Sequence, residues 1–198
     1  GLITYDYIKY DPLDPVSFNF LNGLNSIAIS PDEKHVYISA DVNESVSWFD
    51  RNSTNGNLKY SGTLDQSSNG LDASDMVVSL DGKNVYVTSY ANQSVSWFDR
   101  NSSTGALTYS ASLNHGVAGV VGLNGPNSIT ISSDDKNVYV TADSNDSITW
   151  LDRNSTTGAL TYGGTLNQGV NGVGGLNSPS SIIISLDDAY AYVTADVN

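Results

Sequence analysis

Two histidines and three arginines are the side chains in this sequence best suited to move a proton or clamp an anion. His115 stands alone in the stretch NHGV, and His35 opens HVYIS with no second histidine, cysteine or carboxylate cluster at metal-ligand spacing. Arg51, Arg100 and Arg153 each follow an aspartate, Asp50, Asp99 and Asp152, in the motifs FDRN, FDRN and LDRN. A group copied in every unit points to architecture, since a catalytic centre needs one set of unlike groups in one place. The arginines are therefore expected in turns or ion pairs between units, worth ~0–1 kcal/mol each if exposed.

Oxygen-rich stretches offer a second chemistry. Asp143, Asn145 and Ser147 alternate in DSNDS, as do Asp41, Asn43 and Ser45 in DVNES, which is ligand spacing for a calcium ion. The glycine and terminal glutamate of a calcium loop are missing, and Ala91 takes the first position in the second unit, so these are expected to be solvated turns and no metal is assigned. Six N-x-S/T sequons, at Asn43, Asn52, Asn92, Asn101, Asn145 and Asn154, fall twice per unit in register and are candidate glycosylation sites.

The elements that must position these groups are repeated. The strand-like VYIS, VYVT, VYVT and AYVT begin at Val36, Val85, Val138 and Ala191, intervals of 49, 53 and 53 residues, and Trp48, Trp97 and Trp150 keep the same spacing. Each unit has four short β-prone runs, A to D, and no helical periodicity. In the third unit these are predicted at 128–132, 137–142, 147–152 and 159–166, joined by the turn-forming SDDK, DSND and RNSTTG. Four antiparallel strands per ~50 residues, in tandem, is the pattern of a β-propeller blade. The fold class is all-β, with about three and a half four-stranded blades: an outer strand and connection over 1–24, blades over 25–73, 74–126 and 127–179, and half a blade over 180–198. The early GLITY reads as a D strand, which with twelve strands and a final A–B pair gives 15 strands. The tryptophans are expected in the core, with Val46 and Trp48 on one face of strand C and Phe49 on the other.

The D-to-A connections Leu113–Ser128 and Leu166–Ser181 are glycine-rich and span 15 positions, against 11 for Leu64–Asp75. They share the ligand-binding end of a propeller with the B-to-C turns. Composition narrows the partners: 8 Lys plus Arg against 21 Asp plus Glu give a net charge of −13, which repels nucleic acid and anionic lipid. No apolar run is long enough for a membrane helix, so no direct insertion is expected, and the absence of cysteine removes disulfides and thiol chemistry.

The run P-x-x-I-x-x-S-x-D-x-x-x-x-Y-V-T over Pro126–Thr141, with Ser94–Arg100 and Thr104–Tyr109, resembles the YVTN repeats of the lactonase-like β-propeller family. The resemblance implies a seven-bladed fold shared by 6-phosphogluconolactonase-like and carboxymuconate-cyclase-like enzymes and by cell-surface proteins. It also implies a histidine in the segment entering strand A, where this chain has NGLNSI, DASDMV, NGPNSI and NSPSSI. On that count the chain is expected to be a non-catalytic structural or adhesive propeller of a cell surface, filament or sheath, with no catalytic residue and no cofactor. It is expected to self-associate or to join further blades, with surface glycans as a partner class and an extracellular location. The alternatives are a lactonase- or cyclase-like enzyme whose active residues lie outside this segment, and a module binding a glycan or small ligand.

Overall fold

The structure is a computed structural model and describes residues 22–65 and 71–196. The predicted D strand at GLITY lies outside the described residues. Fourteen strands are described. Strands β1 (Leu24–Ile29), β2 (His35–Ala40), β3 (Ser45–Arg51) and β4 (Leu58–Asp65) form the first sheet in sequential order. The second sheet holds β5 (Ala73–Val78), β6 (Asn84–Ser89), β7 (Ser94–Arg100) and β8 (Leu107–Asn114), in the same order. The third repeats it with β9 (Pro126–Ile131), β10 (Asn137–Ala142), β11 (Ser147–Arg153) and β12 (Leu160–Asn167), and β13 (Pro179–Ile184) pairs with β14 (Ala191–Ala195). All pairings are antiparallel, and β1, β5, β9 and β13 run beside one another, so the first strand of each blade lines the inner edge. This is a partial β-propeller of four-stranded blades.

Alternation along strand C explains why the blades stack. Val46 and Trp48 point at the second blade and pack with Val85, Val87 and Phe98, while Phe49 packs on the opposite face with Val36 and Ile38. One blade later, Val95 and Trp97 meet Val138, Val140 and Leu151. Strand C of each full blade thus buries residues on both faces, which a lone four-stranded sheet cannot do. Cross-strand from two of the tryptophans stand Gly62 and Gly164; a methyl group on either would lie 2.3 or 2.2 Å from the indole.

The turns at the two ends differ in kind. The A-to-B turns close with a hydroxyl and a carboxylate, Ser30 with Asp32, Ser79 with Asp81 and Ser132 with Asp134. At the C-to-D turns, Asn52, Asn101 and Asn154 fold their side chains onto backbone N–H groups two and three residues ahead, an Asx turn repeated three times. Three sequon asparagines are therefore also turn formers.

Candidate functional site at the inner edge

Each inner strand carries a β-bulge close to its start. In β5 the pairs Ala73–Ser89 and Asp75–Thr88 leave Ser74 extra; in β9 Asn127 is extra between Pro126 and Ser128; in β13 it is Ser180. The register of β1 shifts likewise between Leu24 and Ile27. A bulge re-aims side chains and is a frequent companion of binding sites. It also explains why strand A of the third blade begins at Pro126, two residues before its predicted start.

The residues brought together there are Ser26, Asp75 and Ser128, one from each full blade. The Ser26 hydroxyl donates to Asp75 Oδ1 at 2.7 Å, and the Ser128 hydroxyl donates to Oδ2 at 3.2 Å. Backbone N–H groups of Met76 (2.8 Å, Oδ1) and Ile129 (3.0 Å, Oδ2) complete the set. Four donors thus converge on one carboxylate and fix its orientation. Asn25 and Asn127 reach to the next inner strand, donating to the carbonyls of Ala73 (3.1 Å) and Pro179 (2.7 Å). Thr141 in turn donates to Asn127 Oδ1 at 2.7 Å, which fixes that amide. The result is a half-buried carboxylate held between two oriented hydroxyls. Such a group can draw a proton through Ser26 or Ser128 from a water or hydroxyl placed against them.

Sequence reasoning passed over Asp75, although the signal was present. The equivalent third positions read Ser26, Asp75, Ser128 and Ser181, so one unit departs from its siblings by a carboxylate. The residues that it did weigh lie elsewhere. His115 Nδ1 accepts the N–H of Leu123 at 3.2 Å in a D-to-A connection, and Gln168 does the same for Leu176 at 2.8 Å in the next, so the imidazole is a loop fastener. Asn145 Oδ1 accepts from the N–H of Asn124, and Asn43 Oδ1 from that of Asn22, so these turn oxygens hold the connections. No group of metal-binding side chains exists among the described residues.

The arginines lie at the opposite end and form a repeated clamp. Arg100 donates through Nε to the Tyr37 hydroxyl (2.7 Å), through Nη1 to the Gly82 carbonyl (2.8 Å), and through Nη2 to Asp32 (3.0 Å) and His35 Nδ1 (2.7 Å). Arg153 repeats the set with Tyr86, Asp135, Asp81 and Asn84. Inter-blade pairing was expected. The partners are the A-to-B aspartates Asp32 and Asp81 of the preceding blade and, for Arg153, Asp135 of its own blade, not the adjacent Asp99 and Asp152, and both guanidinium groups are buried. Asp32 and Asp81 are held down to about 2: burial opposes ionisation, but hydrogen bonds from a serine, a backbone N–H and the arginine outweigh it. Tyr37 and Tyr86 are pushed up to about 12 by burial, with the arginine pulling the other way. Both phenols stay protonated at neutral pH.

With the geometry in hand, three solved structures are informative. A candidate 6-phosphogluconolactonase from Bacteroides fragilis superposes with a TM-score of 0.65 at 20% identity, covering 81% of this chain and 41% of its own. The periplasmic gluconolactonase of Pseudomonas aeruginosa gives 0.66 at 18%, covering 88% and 43%. Hydrazine synthase of Kuenenia stuttgartiensis gives 0.67 at 21%, covering 95% and 46%. At these identities the likeness is one of fold, and the chain spans less than half the length of each. No curated protein sequence matches the chain.

Residues 6–121 match the family described as lactonase, 7-bladed β-propeller. That match, with two of the three neighbours named as lactonases, overturns the expectation of a non-catalytic structural or adhesive scaffold. The missing histidines behind that expectation concern only the blades of this chain, which spans less than half the length of the neighbours it resembles. This chain belongs to the lactonase, seven-bladed β-propeller family.

Proposed function

We propose that this chain forms part of a lactone hydrolase, with its reaction at the inner-edge site around Asp75. The observation that supports this most is the Asp75 carboxylate bound by serines of both neighbouring blades, in a chain of the lactonase family. Water placed against Ser128 Oγ gives up its proton to that oxygen as the serine proton passes to Asp75, and the resulting hydroxide adds to the lactone carbonyl carbon. Collapse breaks the ring C–O bond, and the leaving alkoxide takes the proton back through the same relay, yielding the hydroxy acid.

The charge pattern favours a neutral sugar lactone over a phosphorylated one. Among the described residues, Lys34, Lys83 and Lys136 sit in or beside the A-to-B turns, the arginines begin the C-to-D turns and Lys59 lies on the outer strand β4. No described cation stands near Asp75 to meet a phosphate, and the net charge of −13 opposes one. Hydrolysis of glucono-δ-lactone, followed by acid release over the spontaneous rate, is the test. Asp75→Asn should lower kcat/KM about a hundredfold, with Ser128→Ala lowering it less. A rate no faster than buffer, or full activity in Asp75→Asn, rejects the reading.

A further inference from the structure

Strands C and D of the three blades carry the same pair of facing small polar residues near the end that holds the D-to-A connections, and each blade treats them differently. In the first, the hydroxyls of Ser47 and Thr63 bond to each other at 2.8 Å. In the third, Thr149 and Thr165 also stand 3.0 Å apart, but Ser147 and Thr149 both lie within hydrogen-bond distance of the Gly122 carbonyl, at 3.2 and 2.9 Å, and Thr165 of that of Val121 at 3.1 Å. The incoming connection is laid directly onto the sheet there: a methyl group on Gly122 would lie 2.4 Å from Thr149 Oγ1.

In the second blade the facing residues are Ser96 and Ser112. The connection arriving at that blade is four residues shorter, from the 11 positions of Leu64–Asp75 against the 15 of Leu113–Ser128. Ser112 Oγ already receives the hydroxyl of Tyr109 and the amide of Asn114, both at 3.3 Å. Ser94 and Ser96 are only 4% and 6% exposed, yet their hydroxyls have no hydrogen-bond partner among the described residues. Both line a cavity of about 140 Å³, along with Asn92, Ser112 and Asn114. Hydroxyls on a cavity wall are available to pair with whatever occupies it.

We infer that this cavity, at the junction of the first and second blades, is a second binding site, specific for a small neutral polyol or sugar. Its lining offers hydroxyls and carboxamides that both donate and accept, and no charged side chain, which suits uncharged hydroxyl groups. Phe98 and Tyr109, edge to face at 5.7 Å, supply an apolar wall for the C–H face of such a molecule. The volume takes several waters or a chain of three to five hydroxylated carbons. The site lies on the outer strands of its blade and does not depend on lactone hydrolysis, because Asp75 is on the inner strand and is absent from its lining.

Titration of the ¹⁵N-labelled protein with glycerol, erythritol and D-xylose, read by amide chemical shifts, tests the site. At least one of the three should give saturable shifts at Ser94, Ser96, Ser112 and Asn114 that persist in Asp75→Asn. Ser96→Val, which fills the space and removes a donor, should weaken binding at least tenfold. Ser112→Ala should weaken it as well, and serves if Ser96→Val does not fold. Shifts that rise linearly for all three probes, that centre on Asp75, or that survive both substitutions overturn the assignment.

Discussion

Arg153 Nε lies 2.6 Å from the hydroxyl of Tyr86 across the boundary between the second and third blades, and that hydroxyl in turn donates to the carbonyl of Gly158 at 2.9 Å. One phenol thus joins the middle strand of one blade to the outer corner of the next. Arg100, Tyr37 and Gly105 repeat the arrangement one boundary earlier. Removing a buried guanidinium takes a donor from Asp81, Asp135 and Asn84 and leaves the Tyr86 hydroxyl with one partner fewer, so Arg153→Ala should cost about 3 kcal/mol or more in denaturant unfolding. Arg51→Ala should cost under about 1 kcal/mol, since its guanidinium pairs only with the exposed Glu33 among the described residues. Equal losses would remove the distinction between clamp and surface pair.

His35 stands where the second blade has Asn84, and each accepts an N–H from a clamping arginine. The imidazole is buried and hemmed in by Arg100, Asp32, Asp50 and the nearby Lys34. Burial, then the positive charge of Arg100, holds its pKa below the usual value of 6.5. Because the folded pKa is depressed and the group is a base, its contribution is fully present above 6.5 and declines as pH falls from there toward the folded value. His35→Asn should flatten that part of the pH–stability curve. A second decline, from Asp32 and Asp81, should set in below their unfolded value of 3.8 and run toward about 2 in both proteins. Urea midpoints measured from pH 8 to 3 separate the two ranges, and an unchanged slope between pH 6.5 and 5 in His35→Asn would refute the role.

Gly122 has φ +75° and its missing side chain leaves room for Thr149 and Thr165. Gly122→Ala adds left-handed strain to a steric clash, and about 1–3 kcal/mol should be lost. The loss should be local, with faster hydrogen exchange in the connection 114–125 and at Ser147 and Thr149, while the first blade keeps its protection. Global loss at every blade would show that the connection is integral to the whole array.

Architecture was legible because it is written as repetition: the tryptophan spacing, the VYVT strands and the FDR corners each appear at every blade, so three copies correct one another. The opposing faces of strand C followed from alternation at Val46, Trp48 and Phe49. What was hard to read was difference. Asp75 stands in one copy of a position otherwise serine, and repetition drew attention to what is shared. The arginine partners were hidden for another reason, because Asp32 and Arg100 are 68 residues apart and meet only after two blades have stacked. Asp99, the aspartate beside Arg100 in sequence, accepts instead from Asn84 at 3.0 Å.

The clamp has a direction. In each described case the tyrosine and one aspartate of the socket belong to the earlier blade and the arginine to the later one, so during synthesis that receiving pair exists before the group that fills it. A nascent blade can lock onto finished structure as soon as its third strand leaves the ribosome, without waiting for anything downstream. Assembly by this rule runs from the N-terminus one blade at a time, and a stalled or mistranslated corner would halt it at that blade while leaving the preceding ones joined.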